Sequence, residues 1–108
     1  MERESLIFME RNRTLIARIG CEIDHHTAKE LRAEIDRRLF LVKPEILVLD
    51  FEAVSFMDSS GLALIIGRTE TARAVGAVVE LVGVSPSVRK LLSLSGIEKI
   101  KNLAVAER

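Results

Sequence analysis

The chain has 108 residues, 48% hydrophobic and 30% charged, and its 16 basic and 16 acidic side chains give a formal net charge of zero. That length suits one compact domain, and a neutral chain without Trp or Tyr argues against broad binding of a nucleic-acid phosphate backbone and lacks obvious stacking platforms, so no direct nucleic-acid partner is expected. A single cysteine, Cys21, excludes an internal disulfide and with it a stapled secreted scaffold.

The chain starts with Met1-Glu2-Arg3-Glu4, charged with both signs, and the apolar stretch after it runs only from Leu6 to Met9, which is no signal peptide. Charged residues interrupt every later apolar run before it could cross a bilayer, so a cytoplasmic protein with no membrane insertion is expected. Ser5–Glu10 and Thr14–Ile19 read as two strands of a hairpin around Arg11-Asn12-Arg13. A helix follows, with Thr27 and Glu30 spaced as a capping box and Ala28, Leu31, Ile35, Leu39 and Val42 on one face. Glu34 and Arg38 form a favourable pair four residues apart on another face, and Pro44 closes the segment.

Ile46-Leu47-Val48-Leu49 is a continuous apolar run, the pattern of a central strand covered on both sides. Beyond Asp58-Ser59-Ser60-Gly61 the pattern predicts a second helix with Leu62, Ile65, Ile66, Thr69 and Ala72 inward and Gly76 as its stop. Val78–Val84 reads as a strand, Ser85-Pro86 as the cap and first turn of a third helix with Val88, Leu91 and Leu92 inward, and Gly96 as its end. Ile97–Val105 fits a last strand or a last helix equally. This alternation is that of an α/β layer fold.

The chemistry concentrates in Phe56-Met57-Asp58-Ser59-Ser60-Gly61-Leu62, which sets two hydroxyls at a strand-to-helix junction. A helix start carries unpaired N–H groups and favours an anion. A serine there can cap the helix, act as a nucleophile or accept a phosphoryl group, and the cap is the default. The nucleophile lacks its supporting cast: position 57 is Met where a Gly-x-Ser-x-Gly elbow needs other company, and the only histidines, His25 and His26, precede the serines in the chain. Asp24-His25-His26 with Cys21 suggests a metal site only superficially, since no second ligand cluster exists, and a polar loop leading to a Thr27 cap is the simpler reading. Neither nucleotide-binding glycine motif is present, and a receiver-type phospho-aspartate site is poorly supported around Asp50.

Taken together, Glu22-Ile23-Asp24-His25-His26-Thr27-Ala28, Phe56–Leu62 with Gly67-Arg68, Ser85-Pro86, and Ser95-Gly96-Ile97 with Lys99-Ile100 resemble the anti-sigma factor antagonists of the STAS domain family, most closely the sporulation type. The resemblance runs over nearly the whole chain. It implies a single STAS domain over residues 1–108, with a mixed central sheet and helices packed mainly on one face. It also implies a non-enzymatic switch without cofactor or metal. In that family an anti-sigma factor that is itself a serine kinase phosphorylates the serine after the aspartate, and a PP2C-type phosphatase removes the phosphate. The unphosphorylated form binds the anti-sigma factor and frees the sigma factor. Carried over by position, Ser59 is the phosphoacceptor, and Asp24, Asp58, Ser60, Gly61 and Leu62 form the partner-binding surface around it. Cys21 and Ala63 stand where the family commonly has glycine. The alternative is a STAS adaptor subunit of a transporter or sensory assembly.

Overall fold

The computed structural model describes residues 5–106, so the charged start Met1–Glu4 lies outside the described residues. Five strands, β1 (Leu6–Arg11), β2 (Thr14–Ile19), β3 (Ile46–Asp50), β4 (Val78–Val82) and β5 (Leu103–Val105), form one sheet in the order β1-β2-β3-β4-β5. β1 and β2 are the expected antiparallel hairpin, and β2 through β5 run parallel. The crossovers are α1 (His25–Val42), α2 (Ser59–Ala74) and α3 (Pro86–Ser95), the last followed by a 3-10 turn, Ile97–Lys99. The segment that fitted strand or helix is therefore both, in short pieces.

Each parallel connection steps in the same direction across the sheet. Because such crossovers are right-handed, all three helices are carried to one face. That face holds Leu15, Ala17, Ile19, Leu47, Leu49, Val79 and Leu81, which are buried. The opposite face presents Ile16, Ile46, Val48 and Val82 half-buried and Val78 exposed. The reading of Ile46–Leu49 as covered on both sides is thereby corrected: β3 is central in the sheet but alternates, with only Leu47 and Leu49 buried.

Helix α1 buries Leu31, Ile35 and Leu39 as its periodicity predicts, and Lys43 ends it in the left-handed conformation just before Pro44. Its exposed pairing differs from the expectation. Glu34 meets Arg37 at 3.4 Å, while Arg38 lies over the Phe8 ring, 4.4 Å from its centroid. Helix α2 is also rotated from the expected phase. It buries Gly61, Leu64, Ile65, Arg68, Thr69 and Ala72, leaving Leu62 half-buried and Ile66 exposed. The apolar run Leu62–Ile66 is consecutive and so gives no phase by itself. Packing against α1 sets it, and the buried Thr69 hydroxyl is satisfied by donating to the Ile65 carbonyl at 2.7 Å. Ser85 caps α3 through a bond from Val88 N–H (3.3 Å), with Pro86 in the first turn and Gly96 as its left-handed end.

Candidate functional site

Two helix starts meet at the C-terminal end of the parallel strands. The loops that follow β2 and β3 join in an isolated parallel bridge between Ile23 and Met57, and Asp58 N–H donates to the Ile23 carbonyl at 3.3 Å. The next residue on each side, Asp24 and Asp58, is the N-cap of α1 and α2 respectively. The chain thus sets two carboxylate caps side by side, and Asp24 lies at the same end of the sheet as the serines.

The capping box of α1 differs from the one read in the sequence. Asp24, not Thr27, is the cap: its Oδ1 accepts from His26 N–H and Thr27 N–H, both at 2.9 Å. Thr27 Oγ1 returns the contact by accepting from Asp24 N–H at 3.1 Å. An ionised acceptor binds N–H groups more strongly than a hydroxyl, so the helix starts one turn earlier and Thr27 takes the reciprocal place. His25 and His26 therefore belong to the first helical turn, not to a loop. The bond from Thr27 N–H, with that from His26 N–H, holds the Asp24 carboxyl below its ordinary range, against a smaller opposing effect of desolvation.

The loop carrying the serines is anchored by buried Phe51, Val54 and Met57 at three-residue spacing. Phe51 N–H donates to the Val82 carbonyl at 2.8 Å, Glu52 N–H to Asp50 Oδ1 at 2.9 Å, and Ser87 Oγ to the Ser55 carbonyl at 3.2 Å. Gly83, at φ +69°, lies so close that a Cβ there would meet Glu52 N at 2.8 Å. Phe56, by contrast, is 59% exposed beside this rigid loop.

Asp58 Oδ1 accepts from Ser60 N–H at 2.7 Å, and the Asp58 carbonyl accepts from Gly61 N–H at 2.9 Å. The cap is thus the aspartate, which leaves the Ser59 side chain uncommitted to capping and exposed as the first residue of α2. Ser60 is half-buried and faces a cleft between α1 and α2. Gly61 is buried against Met57, and a Cβ there would overlap the Met57 thioether. Leu62 is half-buried. The two family-glycine positions differ in setting: Ala63 lines the same cleft, while Cys21 is half-buried in the loop after β2, where burial pushes its thiol pKa up.

Sequence reasoning missed one residue at this site. Arg68, 4% exposed, sits between the helices with its Nε 2.7 Å from Asp36 Oδ1 on α1. Burial pushes its guanidinium pKa down, and Asp36 opposes that shift. Arg68 follows the apolar run and stands next to Thr69, Glu70 and Thr71, so its neighbours do not mark it as buried; its partner lies on another helix and no spacing rule links the two. His25 and Ser60 line one cleft, yet among the described residues no hydrogen bond joins a histidine ring to a serine hydroxyl. Also among the described residues, no group of three or more His, Cys, Asp and Glu is arranged to hold a metal, and no helix is long and apolar enough to cross a membrane.

Residues 6–107 match the STAS domain. The chain belongs to the STAS domain family. It is 39% identical over 95 residues to an anti-sigma F factor antagonist of Paenibacillus polymyxa, covering 87% of this chain and 81% of that one. Its fold matches the anti-sigma factor antagonist SpoIIAA in its unphosphorylated form, with a TM-score of 0.78 at 33% identity over 95% of this chain and 89% of that one. It also matches the phosphorylated form of SpoIIAA, a Bacillus cell fate determinant, with a TM-score of 0.70 at 32% identity over 95% and 92% of the two chains. The expected mixed sheet with helices on one face is the STAS fold found here, and these relatives favour the regulator over the transporter adaptor.

Proposed function

We propose that this STAS domain is an anti-sigma factor antagonist whose affinity for an anti-sigma factor is set by phosphorylation of Ser59. The observation that carries the reading is the exposed Ser59 at the first position of α2, in a chain 39% identical to an anti-sigma F factor antagonist. Ser60, the chemical equivalent next to it, is half-buried and its N–H is engaged by Asp58. Exposure therefore favours Ser59 as the hydroxyl a kinase reaches. Asp24, Asp58, Ser60 and Leu62 form the surrounding contact surface, and Gly61, buried against Met57, supports it from beneath. The partner is an anti-sigma factor with serine kinase activity, a PP2C-type phosphatase reverses the modification, and the exchange takes place in the cytoplasm without a cofactor.

The physical switch is local. A phosphate adds about −1.5 to −2 charges at neutral pH, beside the two carboxylate caps. Enclosing it in an interface without a matching cation costs on the order of 3–5 kcal/mol, or roughly two to three and a half decades of affinity. The fold need not change. An anion at an exposed helix N-terminus gains roughly 0.3–1 kcal/mol from the dipole, which offsets repulsion from Asp58. The test is incubation with the serine kinase and ATP, fragment mass spectrometry, and calorimetry on both forms. Phosphate on Ser59, strong binding by Ser59→Ala and weak binding by Ser59→Asp are expected. Phosphate on Ser60 with Ser59 bare defeats the site assignment, and equal affinity of both forms defeats the switch.

A further inference from the structure

Beside the serine-bearing start of α2, the cleft between α1 and α2 has a volume of about 400 Å³. Its polar wall is His25, Lys29 and Arg32 from α1 with Ser60 and Arg68 from α2, and no carboxylate lines it. Lys29 and Arg32 form no ion pair among the described residues. Arg68 is nearly sealed; its Nε lies 2.7 Å from Asp36 Oδ1 as an ion pair without hydrogen-bond geometry, and its Nη1 is buried without a hydrogen-bond partner. Arg32 lies close enough to repel the Arg68 charge. The cleft is lined by three permanent cations and no carboxylate; Asp36, paired with Arg68, and Glu70, which also acts on the Arg68 charge, lie outside that lining.

The cost falls on Arg68, because Lys29 and Arg32 are exposed at the rim while the Arg68 guanidinium is nearly sealed. Like charges repel more strongly where burial lowers the local dielectric, and an unpartnered guanidinium N–H loses its hydration. The donors also suit a particular guest. A guanidinium fork, a second guanidinium, an ammonium and a hydroxyl together match a compact, multiply charged oxyanion with several acceptor oxygens. The remaining lining is apolar: Ala28, Ala63 and Leu64.

We propose that this cleft is a binding site for a phosphate-class oxyanion, either inorganic phosphate or the terminal phosphate of a small phosphomonoester. The site goes beyond the switch at Ser59 and needs neither a kinase nor a modified serine. Ser60 would donate its hydroxyl to the anion, which gives the second serine of the pair a role distinct from the first.

The test is an amide-shift titration of the unphosphorylated protein at fixed ionic strength, which holds general charge screening constant. Inorganic phosphate, glycerol phosphate and acetate are compared, with glycerol as the neutral control. Saturable shifts confined to residues 25–32 and 60–68, with acetate clearly weaker, are expected. Binding by inorganic phosphate alone identifies the free ion as the ligand, and binding by both phosphates identifies the phosphomonoester end. The Lys29→Ala and Arg32→Ala variants change helix-surface residues and leave the core intact. Each should weaken phosphate binding by roughly tenfold, the loss expected for one charge-assisted hydrogen bond. Shifts that never saturate, that map elsewhere, or that persist unchanged in the double variant overturn the proposal. Because kinase and anti-sigma factor are absent, failure here leaves the Ser59 reading standing, and failure of that reading leaves this one.

Discussion

The same substitution at two glycines of α2 should shift stability in opposite directions. Gly61 and Gly67 both lie within α2, Ser59–Ala74, and glycine in a helix interior is worse than alanine by roughly 0.5–1 kcal/mol. At Gly67 a Cβ meets nothing within 4 Å, so Gly67→Ala should realise that gain without a packing cost. At Gly61 a Cβ would overlap the Met57 sulfur and sit 2.9 Å from its Cγ and 3.0 Å from its Cβ. Met57 is 4% exposed and pairs with Ile23 in the bridge that joins the two helix starts, so its thioether cannot simply swing into solvent. Overpacking of this kind costs about 1–3 kcal/mol. The helix-propensity gain is common to both variants, so the difference between them isolates the packing cost. At roughly 4–8 °C per kcal/mol, Gly61→Ala should melt on the order of 5–20 °C below Gly67→Ala. Two-state thermal unfolding followed by circular dichroism measures this directly. If Gly61→Ala melts at or above Gly67→Ala, Met57 is not a fixed wall and the rigid coupling of the two helix starts is wrong.

Asp58→Ala removes the α2 cap and should cost about 0.5–2 kcal/mol in chemical denaturation, while Asp58→Asn keeps most of the stability. The Asp24 carboxyl has a lowered pKa in the folded chain. Its contribution is therefore present above its ordinary value of 3.8 and is lost as pH falls through the folded-state pKa. Protection of the His26 and Thr27 amides, taken as exchange relative to the intrinsic rate at each pH, should fall over that acidic range and stay constant above it, and a loss of protection beginning near neutrality refutes the assignment. The Arg68–Asp36 pair should respond asymmetrically. Asp36→Asn strands a guanidinium that is 4% exposed, at about 3–5 kcal/mol, whereas Arg68→Met leaves a carboxylate with 27% of its side chain exposed and able to hydrate, and should cost less. Equal losses in urea unfolding contradict that difference in burial.

Local chemistry was legible in the chain itself. The alternation of strands with helices, the inward face of α1, the Ser85-Pro86 start and the Gly96 end of α3 follow from side-chain periodicity and backbone preference, which act over a few residues and need no neighbour. The serine junction was equally visible, because caps and turns are written in adjacent positions. Tertiary structure decided what depends on contacts distant in sequence. The phase of α2 came from packing on α1, since five consecutive apolar residues, Leu62–Ile66, point in every direction around a helix. The open face of β3 followed from the common hand of three crossovers, which no single strand encodes. The capping choice at Asp24 over Thr27 was a competition between two adequate caps, and the stronger acceptor won. The cationic cleft needed Lys29 and Arg32 from one helix and Arg68 from another, positions brought together only because the Ile23–Met57 bridge starts both helices at the same end of the sheet.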